Sequence, residues 1–487
     1  MDAAPDRTIF SPQALALLMR VLIEDAAEGE FRELTTEFAI LQSAVLGAHS
    51  AIENSLDALS LPDQDSMLAY ELQAATFFRR SMPLEEMSRH AEFLRLASVD
   101  ERLLGSKSRV DVLDWLSRAG GMSADDQFAV GFGLSAMTRA FDDPIRPRAF
   151  AEHVDDLLVK LGWDHIGRDL PVLSSTRNEF RAKFTALGGD SATYAWELRP
   201  FKLTPFVRFA SGDLVLLGSS MLLSWLGEGF HYRAMTYAQQ SEDEKTLRRY
   251  TTYQGEIVET YALDLAETAV AVPTIVMGEQ RYHKGGEQKT SDVAVIEGSD
   301  LVLFEVHARR VAATAGVTGS AVEATTEVSK LLVTKANQLG RCIGHLLDGT
   351  ATLPGVDIGA IKRIWPVVVS VGYVLQSPNL WAYLTSALDP DKTKALADAR
   401  VQPLQLLTID DFEKLLGLVS SGESLSSMLA RKTRGDFRDR DLSASLHGDP
   451  QARSDKPRHP ALEARWQEMS DRVIEITDLT AGLQPDT

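Results

Sequence analysis

The chain has 487 residues, a length that at about 150 residues per domain suggests roughly three domains. With 44% hydrophobic and 24% charged residues it has ordinary globular composition, which excludes collagen-like, coiled-coil and wholly disordered classes. The 50 basic and 69 acidic residues leave a net charge of −19, so bulk attraction to nucleic acid is excluded.

Charge is unevenly placed. Residues 1–60 hold ten acids and three bases, residues 246–350 hold thirteen acids and ten bases, and residues 431–460 hold five acids and eight bases. The only cysteine, Cys342, excludes an intramolecular disulfide and a four-thiolate zinc site, and it fits a reducing compartment. The opening stretch MDAAPDRTIF has no apolar segment, so no secretory signal is expected. No run approaches the roughly 18 apolar residues of a membrane span, so a cytoplasmic protein with no membrane partner is expected.

In chain order, Ser11-Pro12 predicts a helix N-terminus ahead of Leu15, Leu18, Met19, Leu22 and Ile23 at helical spacing. Further helices are predicted near 34–60, 66–96, 109–118, 123–141 and 147–161. Two short strands around Ser211-Gly212-Asp213 predict a hairpin near 198–217, followed by a helix from 219. The charged stretch 241–249 is a candidate boundary. After it come a helix over 253–269, strands over 290–297 and 301–308, and a Gly/Ala/Thr-rich loop over 312–322. A helix over 323–347 and a buried strand over 364–372 follow. The segment after 420 reads as a charged linker, closed by a terminal helix. The expected organisation is α+β or α/β: a mainly helical region 1–245, an α/β sandwich core 246–420, and a linker with terminal helix 421–487.

Common catalytic signatures are absent: no Walker A run, no His-Glu-x-x-His and no Gly-x-Ser-x-Gly. Gly131-Phe132-Gly133 lacks the third glycine and a preceding strand. The informative segment is 255–310. Asp292 opens one predicted strand and Glu305 lies well inside the next, with a turn at Glu297-Gly298-Ser299-Asp300 between them. Alternation puts Glu305 and His307 on one face and Val302, Phe304 and Val306 on the other. An acid buried in so apolar a strand needs compensation, and a divalent cation held by two carboxylates supplies it. Such a site suits phosphodiester chemistry.

GEIVETYALDLAE, SDVAVIEG, LVLFEVHARR, a helix carrying Lys335 and Gln338, and then an apolar strand resemble, in that order, the PD-(D/E)XK nuclease superfamily. The resemblance covers about residues 250–375. It implies a restriction-endonuclease-like core, a magnesium (or manganese) cofactor and nucleic acid, in the first place DNA, as partner. By that resemblance Asp292 and Glu305 are the two motif acids, and Glu256 is the helix glutamate, with Glu259 as runner-up. Gln338 is the polar helix residue near the site. It also fits a bacterial nuclease, and a homodimer is open. The motif lysine is replaced by His307. Histidine can act as a general base but is not a fixed cation, so the lysine role is open to Lys289 or Lys335. Arg309 shares the strand face of Glu305, and Arg341 the polar stripe of the helix with Gln338, Cys342 and His345; Arg309, Gln338, Arg341 and Lys289 are the candidate nucleic-acid contacts.

Three readings stand side by side. The first is a metal-dependent nuclease with Asp292, Glu305, His307 and Lys335 at its centre. The second is a degenerate member that binds nucleic acid or a protein without cutting. The third is a scaffold whose acidic helical N-terminal half docks a protein partner. Asp292 and Glu305 could also be a structural pair with Arg309 or Lys335, and Trp196, Trp381 and the phenylalanines of 201–209 read as core.

Overall fold

A computed structural model of the chain describes Leu68 and residues 83–140, 172–186, 199–210, 214–217, 219–240, 244–271, 274–282, 288–310, 320–372, 374, 376–447 and 458–481. The helices expected from Ser11, over 34–60 and over 147–161, Trp196 and the Gly-rich loop (but for its last residues) lie outside the described residues.

The first half is helical as its periodicity predicts. Helices α1 (Pro83–Val99), α2 (Val112–Gly120) and α3 (Ala124–Ala140) lead to strand β1 (Ser174–Thr176), then α4 (Arg177–Ala186) and α5 (Arg199–Leu203). The expected hairpin forms from β2 (Phe206–Arg208) and β3 (Leu214–Leu216), and β1 adds to it in parallel. Helices α6 (Ser219–Leu226) and α7 (Glu228–Gln240) follow, then the long α8 (Glu244–Ala269). The stretch 241–249 is therefore mostly the first turns of α8.

The second half is a five-stranded sheet between helices. Strands β4 (Ile275–Gly278), β5 (Arg281–Tyr282), β6 (Gln288–Lys289), β7 (Val293–Glu297) and β8 (Asp300–His307) come first. They are followed by α9 (Ala321–Val328), a widened helical turn over 329–333 and α10 (Thr334–Leu347). Strand β9 (Arg363–Ser370), α11 (Pro378–Ala387), β10 (Gln405–Thr408), α12 (Ile409–Ser420), α13 (Leu425–Lys432) and α14 (Pro460–Ala481) complete it. The strand order is β10-β9-β8-β7-β4; β7 is antiparallel to both neighbours, and β8, β9 and β10 are parallel. The fold is mixed α+β.

Strand β8 is central and buried on both faces. The hairpin to β7 turns at Gly298, whose φ of 64° is the left-handed conformation that glycine adopts without strain. Val302, Phe304 and Val306 pack with Ile257, Tyr261 and Leu265 of α8. Leu301 and Leu303 pack on the other face with Leu332, Leu339 and Ile343 of the α9–α10 helix. Each such buried side chain stabilises by about 1.5–3 kcal/mol relative to exposure.

The helical half and the sheet half share a core: Phe93 and Leu96 of α1, Leu134 of α3, Leu222 of α6 and Phe304 of β8 belong to one buried apolar cluster. Arg89 of α1, 1% exposed, is ion-paired with Glu413 and Asp410 of α12, and the Tyr261 hydroxyl of α8 donates to Glu413 at 2.6 Å. Trp381 and the phenylalanines 201 and 206 are core, as expected.

The segment read as a linker is corrected over 424–447. Leu425, Met428, Leu429 and Leu442 are buried in the main core. The Glu297 carboxylate accepts the Leu425 and Ser426 amides at 3.1 and 3.0 Å, fixing the start of α13 with a negative charge where the helix dipole favours one. Lys432, fully buried, donates to the Gln376 side chain and the Arg438 carbonyl, each at 3.3 Å. Burial, opposed by Asp411, pushes the Lys432 ammonium down to about 8. Folding then releases a proton between that value and the ordinary lysine value near about 10.4, so this group makes stability rise with pH across that window. Lys432→Met should be more stable than the native chain at pH 7, with the gap closing by pH 10; urea midpoints of both proteins from pH 7 to 10 check this.

Candidate functional site: a buried carboxylate–lysine cluster

The antiparallel register of β7 and β8 pairs Val293 with Phe304, so the next pair outward is Asp292 opposite Glu305. Asp292 Oδ2 accepts the Val306 amide at 2.7 Å, which fixes its carboxylate against β8. Glu305 is fully buried, on the face covered by α10. From α10, Lys335 Nζ reaches Glu305 Oε1 at 2.7 Å and Asp292 Oδ2 at 3.8 Å. Glu305 Oε2 is buried with no hydrogen-bond partner among the described residues. One ammonium thus serves two carboxylates brought together by a strand pair.

Burial sets the electrostatics. It raises the Asp292 carboxyl, with Lys335 opposing. It raises Glu305 well above the ordinary range, reinforced by Asp292. Glu259, on α8, is pushed up to about 8 by burial and then by Asp292. The Lys335 ammonium is raised despite burial, by Asp292 and Glu305. Cys342 lies buried beneath the cluster. Burial pushes its thiol up to about 12, against a hydrogen bond from the Ser291 backbone and with Glu305 adding to the rise. The thiol is therefore a neutral floor, and Cys342 leaves the polar stripe expected for it.

Several expected roles change. Glu256 accepts a hydrogen bond from Ser106, just past a short helix Glu101–Leu104, and the glutamate whose carboxyl is raised beside the cluster is Glu259. His307 is held at both nitrogens: the Arg309 amide donates to Nδ1 at 2.9 Å, so Nε2 carries the proton and donates to the Lys330 carbonyl at 3.2 Å. Burial and then Lys335 lower it to about 4, so it is neutral at pH 7 and has no lone pair left for a general base. The cation of the cluster is Lys335, not Lys289, which pairs with Glu279 at 2.8 Å. Arg309 is bound to Glu327 at 3.0 Å. Gln338, half-buried, follows Lys335 by three residues on the same helical face, and Arg341 is exposed one turn further on.

The widened turn over Ser329–Val333, closed by the Thr334 amide on the Ser329 carbonyl, carries no mark in a residue-by-residue motif search. Its Lys330 carbonyl is the partner of His307.

Comparison with family models, with curated proteins and with solved structures found no match in any of the three.

Among the described residues, no group of three His, Cys, Asp or Glu side chains is arranged to hold a metal ion. The donor chemistry nonetheless fits a hard divalent cation: carboxylate oxygens only, an unpartnered Glu305 Oε2, and more acid than one lysine neutralises.

Lys335→Met should destabilise the fold by about 3–5 kcal/mol, because it leaves buried carboxylates without their cation. The double variant Lys335→Met/Glu305→Gln should recover a large part of that loss. Denaturant unfolding of the two single variants and the double variant measures the coupling; additive effects would mean that the two side chains do not interact.

Proposed function

We propose that this chain is a metal-dependent phosphodiesterase that hydrolyses nucleic acid, with DNA as the first substrate to test. The observation that carries the reading is the meeting of Asp292 and Glu305 under Lys335, with one Glu305 oxygen left unpartnered. The element order supports it: helix α8, the antiparallel pair β7–β8, the α9–α10 helix and parallel β9 follow as the PD-(D/E)XK resemblance implies.

Asp292 and Glu305 would hold the cation, with Glu259 as the third acid. Magnesium or manganese bound there would supply positive charge against the oxygens of the phosphoryl transition state. The chain's own residues do the rest. The Val306 amide keeps the Asp292 carboxylate aimed between the strands. Lys335, a fixed cation within reach of both acids, orients a water by hydrogen bonding and offsets negative charge as it develops. His307 ties the end of β8 to the backbone of the helix that carries Lys335.

A second reading is favoured by His307 at the lysine position and by its fully engaged ring: a nuclease-fold protein that binds nucleic acid or a protein and does not cut. The two readings part on a simple assay.

With magnesium or manganese, the native chain should cut DNA. Asp292→Asn, Glu305→Gln and Lys335→Met should each lower the rate by on the order of 10²-fold or more. Glu259→Gln should impair cleavage more than Glu256→Gln, and chelation should abolish it. Gel assays on linear, supercoiled and single-stranded DNA and on RNA, with each variant's fold checked by circular dichroism, test this. Binding with no cleavage of any form under either metal selects the second reading.

A further inference from the structure

Three residues beyond His307 the chain enters a second polar cluster, distinct from the carboxylates. Arg310 is 9% exposed. Its Nη2 donates to His90 Nε2 at 3.1 Å, while its Nε and Nη1 have no hydrogen-bond partner among the described residues. Among the described residues Arg310 is ion-paired with Glu228, whose Oε1 stands 3.9 Å from Nε, beyond hydrogen-bonding range, and the other Glu228 oxygen is taken by Lys202 at 2.8 Å. Glu86 accepts the Glu228 amide at 3.0 Å.

The two imidazoles beside Arg310 are neutral. His90 Nδ1–H donates to the Glu86 carbonyl at 2.8 Å, which leaves Nε2 to accept from Arg310. His231 shares a hydrogen bond of 2.9 Å with the Tyr250 hydroxyl. Both are lowered by burial and next by Arg310, His90 to about 3 and His231 in the same direction, with Glu228 opposing. A guanidinium has five N–H donors and no acceptor, and a buried one is ordinarily satisfied by carboxylates or carbonyls. This one keeps two donors without a hydrogen-bond acceptor among the described residues.

Location points to the anion. Arg310 lies five residues after Glu305, at most about 16 Å along the chain at 3.3 Å per residue. A nucleic-acid strand gripped at Glu305 carries further phosphates within that span.

We propose that Arg310, flanked by His90 and His231, is a phosphate site that receives a phosphate group of the strand held at the Asp292–Glu305 cluster; the identity of the strand rests on the nuclease reading, whereas the phosphate site does not.

The test uses the full chain without divalent metal. Melting temperature is followed against inorganic phosphate and against the dinucleotide thymidylyl-thymidine, with sodium chloride at matched ionic strength. Native protein should show a saturable rise of about 1–3 °C with phosphate and none with chloride. Arg310→Met should lose the rise, and Arg310→Lys, which keeps the charge with another donor geometry, should need several-fold more phosphate. Any general salting effect of phosphate is common to all three proteins and cancels in the comparison. A response to the dinucleotide assigns the site to internucleotide phosphates, and a response to inorganic phosphate alone assigns it to a strand end; both support it. No saturable rise in native protein, or the same rise in Arg310→Met, overturns it; should Arg310→Met not fold, an unchanged phosphate midpoint in Arg310→Lys does so. Cleavage is assayed separately, so phosphate binding without cleavage would remove the nuclease reading alone, and cleavage without phosphate binding would remove this site alone.

Discussion

Two carboxylates and one ammonium share a space from which water is largely excluded, and much of the architecture serves that arrangement. Glu305 sits on the central strand, covered by helices on both faces, so its charge cannot be met by solvent. A buried carboxylate without a partner takes up a proton or destabilises the fold. Lys335 answers part of that demand at 2.7 Å, and the Val306 amide answers part of the demand of Asp292. With Glu259 also desolvated against Asp292, acid remains in excess of cation. That excess shows in all three carboxyls, each of which burial raises.

Helix α8 gives this site its connection to the rest of the chain. Tyr261 enters the network of Arg89, Asp410 and Glu413, while Glu259, two residues earlier, is coupled to Asp292. Arg89 links that network to the helical half, and its buried guanidinium would be costly without both acids. The helical half is thus bonded to the element that carries one of the candidate site acids.

The three inner strands of the sheet were legible because their signals are local, whereas the edge strands β4 and β10 were not predicted. The 297–300 turn and the strand-like runs 290–297, 301–308 and 364–372 predict strands that form over Val293–Glu297, Asp300–His307 and Arg363–Ser370. Asp292 and Glu305 were legible because antiparallel pairing follows from the turn. Lys335 was legible only as one of two lysines, since which helical residue meets a strand depends on tertiary packing. Glu256 and Glu259 are one helical turn apart and nothing nearby in sequence ranks them; Ser106, which takes Glu256, is 150 residues away. The 424–447 segment was missed because its Arg and Asp residues outweigh the helical spacing of Leu425, Met428 and Leu429, and because its anchor, Glu297, is also remote.

The placement of Lys335 has a sequence cause of its own. Ala324, Val328, Leu332 and Ala336 are all buried and recur every four residues. In a regular α-helix each step of four residues overshoots a full turn by about 40°, so three such steps would carry the stripe about 120° around the axis and off the sheet. The widened turn over Ser329–Val333 uses more residues per turn and absorbs that drift. Apolar packing on both sides of the turn therefore fixes the helical register, and Lys335, next to Ala336, is brought over Glu305 as a result. A widened turn leaves its carbonyls poorly matched to the normal ladder, and His307 donates to one of them, that of Lys330. His307 thus braces the turn whose geometry sets Lys335 on Glu305, its neighbour but one along β8.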